Sequence, residues 1–249
     1  MATGIISSFL FSRVSRTLMV LALLGLMPTA AQGQILLGIL FGDKLVSERF
    51  HIGLNAGLNV SNLGGVSDTD LKPGLMLGLV AEWRIGGRFY LQPELLPFFR
   101  AGAKSLPGPA GLPPALDTLV TDRNNQRNLS YFAIPVLLKY AVMPHRLFLG
   151  AGPQVNFLLG ATDVFSGVIT NQFDITEDIE DQLNSTDAGV AFHIEYKLGS
   201  SVVAASINIR YYLGLTDTIK DNTGTSVTNH VLSIFGSIPV GGEPEGSEE

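Results

Sequence analysis

The residues most able to do chemistry in this sequence are charged side chains that recur in otherwise apolar segments. They are Glu82, Arg84, Glu94, Lys139, Asp187, Glu195 and Arg210, with Lys197 in an equivalent position. Around each of these residues, apolar and polar residues alternate along the chain, and the charged residue occupies one of the polar positions. A buried charge is stable only when it is paired. We therefore predict a network of ion pairs in the interior, with Glu94, Lys139 and Arg210 joined across neighbouring segments.

This predicted network has two alternative roles. It could fill the interior and hold it together, or it could relay protons, bind a ligand or catalyse a reaction. A closed barrel of eight strands has room only for its own side chains, so we favour the structural role.

The usual catalytic residues form no recognisable motif. The histidines are His51, His145, His193 and His230, and none has an obvious serine partner. No metal-binding spacing, phosphate-binding loop or nucleophile elbow is present, and the absence of cysteine excludes thiolate chemistry. The acidic run at 174–181 lacks the ligand spacing of a calcium loop and predicts a solvated loop or short helix. We expect no enzyme activity, no cofactor and no metal.

The segments that must position these charges alternate with a period of two, which is typical of strands. The clearest pair, 129–140 and 147–159, is joined by a tight turn. In its first segment Leu138 and Tyr140 fall on the apolar face, and Tyr131 and Lys139 fall on the other. The alternation recurs in eight segments: 50–60, 73–85, 88–100, 129–140, 147–159, 186–198, 202–213 and 229–240.

The connections between these segments differ in length. Tight turns are expected at 86–87, 143–145 and 199–201, and long polar loops at 62–72, 101–128, 160–185 and 214–228. Short turns at one end and long loops at the other are typical of outer-membrane barrels, and an even strand number puts both termini at the periplasmic end. Aromatic residues near the segment ends are expected at the membrane interfaces. These are Phe50, Trp83, Phe89, Phe99, Tyr140, Phe157, Tyr196 and Tyr211.

Composition indicates which medium the apolar face contacts. The chain is 46% hydrophobic and only 15% charged, against about 25% charged residues in an average soluble domain. We predict an all-β fold, an eight-stranded antiparallel transmembrane β-barrel with its apolar face in lipid, short periplasmic turns and long extracellular loops. The alternative is a soluble lipocalin-type barrel, which would put its apolar face inward and its charges outward.

The sequence before the first strand has the features of a targeting segment. Arg13 and Arg16 precede the apolar run 18–27, and small residues follow as far as Gly33, which is the order of a secretory signal. A retained membrane helix is the alternative, although the run is short for one. We predict a signal peptide at 1–33, a periplasmic lead-in that could form a short helix at 34–48, a barrel at 49–240 and an acidic tail at 241–249. The net charge of −6 argues against a nucleic-acid partner.

Several motifs and their order resemble one family. These are LQPELL at 91–96, SYFAIPVLLKY at 130–140, LFLGAGPQV at 147–155, TDAGVAFHIEYKLG at 186–199 and NIRYYLGLTDT at 208–218. Together they are similar to the PorT-like outer-membrane β-barrel family of Bacteroidota-type bacteria. The resemblance implies an eight-stranded barrel, an outer-membrane location and no known enzymatic activity. The founding member of the family is linked to the secretion machinery that exports proteins with C-terminal sorting domains.

The resemblance also implies which polar positions are typical, and it has two departures. The typical positions correspond to Glu94, Lys139, Asp187 and Arg210. Pro97 and Phe98 stand where the family usually has a tyrosine and a small polar residue, and the chain ends in an acidic tail rather than an aromatic residue closing the last strand.

We therefore expect a non-enzymatic barrel with a polar lumen filled by side chains and a structural or partner-binding role. A narrow pore for ions or small solutes and a lipid-modifying outer-membrane enzyme are the alternatives. The expected partners are outer-membrane lipid, the barrel assembly machinery and envelope or secretion proteins, with the chain as a monomer.

Overall fold

The computed structural model describes residues 49–106, 121–168, 172–199, 204–220 and 223–240. These residues form nine strands and one short 3-10 helix, Glu180–Gln182. The strands are β1 (Phe50–Gly64), β2 (Lys72–Gly86), β3 (Phe89–Lys104), β4 (Thr121–Met143), β5 (Leu147–Val168), β6 (Gln172–Asp178), β7 (Thr186–Lys197), β8 (Ser206–Gly214) and β9 (Thr228–Val240). The predicted signal peptide, lead-in helix and acidic tail lie outside the described residues.

Eight of the strands close into a ring of antiparallel pairs. Each pairs with its neighbour in the chain, except that β5 pairs with β7, and β9 returns to pair with β1. The closing pairs run from Ile52 opposite Val240 to Gly64 opposite Thr228. The predicted all-β, eight-stranded antiparallel barrel is confirmed.

The ninth strand was missed by the sequence analysis. β6 lies in the predicted loop 160–185 and pairs with the far half of β5, from Val168 to Thr162. The acidic run at 174–181 thus begins as part of β6, and only its last residues enter the short helix. β3, β4 and β5 also extend into the predicted loops, because their backbone pairing continues beyond the apolar segments.

Side chains alternate between an exposed apolar face and a buried inner face. On β1, Leu58 is 64% exposed, whereas its neighbour Asn59 is 1% exposed. Leu79, Leu138 and Ile194 likewise point outward. An apolar outer face with amides and charges inside is the reverse of the soluble-barrel alternative, and it fits a sheet that contacts lipid.

The inner face of the barrel contains an apolar cluster near the long loops. Leu63, Phe99, Leu129 and Tyr212 are among its members, and each is 1% exposed. Leu106, Ile179, Leu183 and Val227, which come from the connections, pack onto the same cluster. The predicted polar lumen is therefore polar only in part. We refer to this end as the loop end, and to the other as the short-turn end.

A bulge in β3 inverts the predicted faces of its last residues. Between Leu95 and Phe98, β3 has one residue more than the paired stretch of β2. The extra length falls at Pro97, which has no N–H to donate to a neighbouring strand. Beyond it Phe98 is exposed and Phe99 buried. The prediction that Phe99 lies at a membrane interface was wrong, because the bulge shifts the alternation by one and turns this side chain into the lumen.

Among the described residues, no helix has the length and apolar character needed to cross a membrane.

The bulge predicts unequal effects for two adjacent phenylalanines. Phe99→Ala should lower the free energy of unfolding by about 3–5 kcal/mol, because it leaves a cavity in the apolar cluster. Phe98→Ala should cost less than half as much, since lipid or detergent can fill the vacated space. Urea titration of the protein folded into lipid vesicles measures both values. Equal losses, or a larger loss at Phe98, would show that the bulge is misplaced.

Candidate functional site

Four charged side chains meet inside the barrel near the short-turn end. Lys139 on β4 donates hydrogen bonds to Glu82 on β2 and to Glu195 on β7. Lys197, also on β7, donates to the other oxygen of Glu82 at 2.9 Å. The four side chains are almost fully buried. Two cations and two anions give a neutral group, as burial of charge requires. We refer to these four residues as the ionic cluster.

An aromatic pair lies beside the ionic cluster. The ammonium groups of Lys139 and Lys197 each lie 5.1 Å from the centre of the Phe148 ring. Tyr90 packs edge-on against the same ring, with a centroid distance of 5.2 Å. Cations within about 6 Å of an aromatic face are attracted to it, so Phe148 makes a favourable electrostatic contact with both ammonium groups.

The short-turn end has a small opening beside the ionic cluster. His51 lies there, with Nε2 at 3.4 Å from the Glu82 carboxylate. The cavity measures about 20 Å³ and is lined by His51, Glu82, Gln92, Glu195, Lys197 and Asn208, among others. This volume holds about one water molecule and is too small for an organic substrate.

A second ion pair crosses the lumen. Arg210 on β8 donates through both terminal nitrogens to Glu94 on β3. Asn55 and Gln92 donate to the same carboxylate at 2.9 and 2.6 Å. The Arg210 guanidinium also lies 4.8 Å from the centre of the Phe235 ring. Four donated hydrogen bonds satisfy the Glu94 carboxylate, which makes this a fully paired buried charge.

Asp187 on β7 is held by neutral donors. It accepts hydrogen bonds from Asn156 and Asn229 at 3.0 and 2.9 Å, and from the hydroxyl groups of Tyr212 and Thr216 at 2.9 and 3.3 Å. No lysine or arginine of the described residues lies within 4.0 Å of it. Hydrogen bonds alone can compensate a buried carboxylate when there are several of them.

The predicted site residues therefore lie in three groups rather than one network. Glu82, Lys139, Glu195 and Lys197 form the ionic cluster, Glu94 pairs with Arg210, and Asp187 stands apart. The expected link from Lys139 to Glu94 is absent from the ion pairs of the described residues. Lys139 instead contacts β2 and β7, which are not its neighbours in the sheet.

Arg84 lies outside all three groups. It has the inward parity, but it is exposed near the end of β2, and its Nε donates to the carbonyl of Gly87 in the adjoining turn. Its assignment to the lumen network was wrong, because the alternation gives the direction of a side chain but not its depth in the barrel.

The histidines do not assemble a catalytic group. His145 is exposed in the turn between β4 and β5, and His193 is buried against the Phe235 ring, with centroids 5.9 Å apart. His230 lies 2.8 Å from the hydroxyl of Tyr211. In the described part of the chain, histidines and carboxylates form no group of three that could hold a metal ion.

The neutral residues that complete these groups were not predicted from the sequence. Asn55, Asn156, Asn229 and Tyr212 all contact the buried carboxylates. The inward parity of Asn55, Asn156 and Tyr212 was visible in the sequence, because each alternates with apolar outward residues. What was not visible is their distance from a carboxylate, since that distance depends on the register and stagger of the strands.

The ionic cluster predicts a large cost for removing one cation. Lys139→Met should lower the free energy of unfolding by about 3–5 kcal/mol, because Glu82 and Glu195 lose a buried partner. Adding Glu195→Gln should recover part of that loss by removing one uncompensated charge. Arg84→Met is the matched control and should have a much smaller effect. Urea titration in lipid vesicles measures all three. A loss at Lys139 no larger than that at Arg84 would contradict the arrangement.

A model of the outer membrane protein beta-barrel domain matches residues 31–220. A search of curated proteins finds no significant match.

Three solved structures are similar to the chain. Neisserial surface protein A is 12% identical to this chain, with a TM-score of 0.39. The match covers 77% of this chain and 97% of that protein. Ail, the attachment invasion locus protein of Yersinia pestis, is 9% identical with a TM-score of 0.39, with coverages of 78% and 99%. OprG of Pseudomonas aeruginosa is 10% identical with a TM-score of 0.39, with coverages of 77% and 95%.

The family match spans most of the chain and agrees with the closed sheet and its apolar outer face. The predicted location in the bacterial outer membrane is confirmed. The chain belongs to the outer membrane protein beta-barrel domain family.

Proposed function

We propose that the protein is a non-enzymatic barrel that acts through the surfaces at its ends rather than through its interior. The observation that carries this proposal is that the described interior is filled by the protein's own side chains. Lys139 in the ionic cluster is completely buried, and Arg210 is 1% exposed. The apolar cluster occupies the loop end of the same lumen. A pore needs a continuous path of water, and a catalytic site needs space for a substrate.

The loop end is the better candidate for contact with partners. β4 and β5 are the longest of the described strands. Their halves at the loop end, together with β6, extend the sheet beyond the exposed apolar residues of the outer face. Binding residues on many proteins lie in loops and extensions that a rigid scaffold holds in place. Here the ring of eight strands is that scaffold, and envelope or secretion proteins are the proposed partners.

A more specific proposal is that the chain is PorT-like. The motifs at 130–140 and 186–199 support it, and each carries residues of the lumen groups, Lys139 and Asp187. We propose that residues 1–33 are a signal peptide, that the barrel assembly machinery inserts the monomeric chain, and that it assists export of proteins with C-terminal sorting domains.

The filled lumen predicts the absence of steady conductance. Purified protein inserted into a planar lipid bilayer should give no stepwise current, because neither ions nor water can pass the ionic and apolar clusters. Insertion is checked by protease protection of the same preparation in vesicles, and a general porin serves as the positive control. Reproducible stepwise conductance would favour the narrow-pore alternative.

Deletion of the gene should separate the secretion and enzyme roles. We expect less of the sorting-domain proteins in the culture medium, with recovery when the wild-type gene is restored. Lipid A from the same strain should have an unchanged mass spectrum, since no lipid-modifying reaction is proposed. Normal export would count against the secretion role, and a changed lipid A would count against a non-enzymatic barrel.

A further inference from the structure

Three cationic side chains lie at the loop end of β2 and β3, where the apolar outer face of the barrel ends. Arg100 and Lys104 lie on β3, and both share the outward face, because they stand opposite Ser130 and Gln126 on β4. Lys72 is the first residue of β2. We refer to Lys72, Arg100 and Lys104 as the cation patch.

Gly102 brings the cation patch together. It lies on β3 between Arg100 and Lys104 and has a φ of 131°, which favours glycine. A Cβ placed on it would lie 3.2 Å from Cδ of Lys72. The Lys72 side chain therefore reaches Gly102, which lies between the two other cations on β3.

Within the described residues, no carboxylate forms an ion pair with the patch. In the described part of the chain, no carboxylate lies within 4.0 Å of any of the three, whereas Arg127 on the same sheet pairs with Asp163 at 2.7 Å. Asp70 pairs with Lys104 only through the backbone, and its carboxylate accepts a hydrogen bond from Ser105 at 2.6 Å. Arg100 has the Ser130 hydroxyl as its polar partner. Like charges held together without a counter-charge are the electrostatic footprint of an anion site.

Exposed apolar side chains lie directly below the patch. Leu75 on β2 is 62% exposed, and Phe98 on β3 is 56% exposed. Because the loop end faces the exterior in barrels of this kind, the patch lies at the height of the lipid headgroups in the outer leaflet. A ligand that matches both features has a phosphorylated headgroup and acyl chains.

We propose that Lys72, Arg100 and Lys104 bind the phosphate of a phosphorylated glycolipid of the outer leaflet. The acyl chains of that lipid lie along Leu75 and Phe98, and the Arg100 guanidinium supplies the planar pair of donors that suits a phosphate. The bound lipid neutralises the positive charge of the patch and fixes the depth of β2 and β3 in the membrane.

Lipid titration tests this site. The protein, purified from outer membranes in detergent, is titrated with bis-phosphorylated lipid A, and bound lipid is counted by native mass spectrometry. The triple variant Lys72→Gln, Arg100→Gln, Lys104→Gln should bind lipid A at least about tenfold more weakly, since three charge contacts at the protein surface each contribute a factor of about two to five. Arg84→Gln, Arg88→Gln, Arg146→Gln removes the same charge at the short-turn end and should bind as the wild type does.

Further measurements distinguish a loss of charge from a loss of folding, and the binding of a lipid from the binding of free phosphate. Lys72→Arg, Lys104→Arg keeps both the charge and the Arg100 guanidinium and should retain binding, and slow migration on an unheated gel identifies any variant that has not folded. Lipid A without phosphates should bind the wild type about as weakly as lipid A binds the triple glutamine variant. Equal binding by the two glutamine variants, or full displacement of the lipid by millimolar pyrophosphate, would overturn the proposal.

Discussion

Closure of the sheet is the constraint on which the rest of this structure depends. Backbone N–H and C=O groups have no hydrogen-bond partners in hydrocarbon, so a sheet can cross a membrane only when its first and last strands pair. β1 and β9 meet this requirement from Ile52 to Gly64. Once the ring is closed, every side chain points either to lipid or to the lumen. A slip of one residue in any pair would exchange the two sets, placing residues such as Asn59 in lipid.

The charged side chains of the lumen also favour the correct register between strands. Glu82, Lys139 and Glu195 belong to β2, β4 and β7, and Glu94 and Arg210 join β3 to β8 across the barrel. These contacts exist only when distant strands have the correct stagger, because a shifted strand leaves a buried charge without a partner. Buried ion pairs contribute little net stability compared with apolar packing. Their physical effect here is to raise the free energy of misregistered barrels.

The sequence could predict the direction of side chains but not their depth or their distant contacts. Period-two alternation identified all eight strands of the ring, because each has a stretch in which one face meets lipid and the other faces the lumen. It failed at Phe99, because the bulge at Pro97 adds a residue that alternation cannot anticipate. It failed at Arg84, which has the parity of an inward residue but lies near the end of β2, where its side chain is exposed. The partners of Lys139 depend on barrel stagger, and β6 has too few apolar outward residues to be distinguished from a loop.

The distribution of polarity along β4 and β5 explains why the lumen is divided. Near the short-turn end the outward face of β4 is apolar and Lys139 points inward. Beyond Ser130 the outward residues of β4, such as Gln126 and Asn128, are polar, whereas Leu129 and Phe165 on the inward side are buried. The outer medium changes from lipid to water along one strand, and the pattern inverts there. Water drives apolar side chains together and lipid does not, so the part of the barrel that stands in water needs an apolar cluster to hold it together.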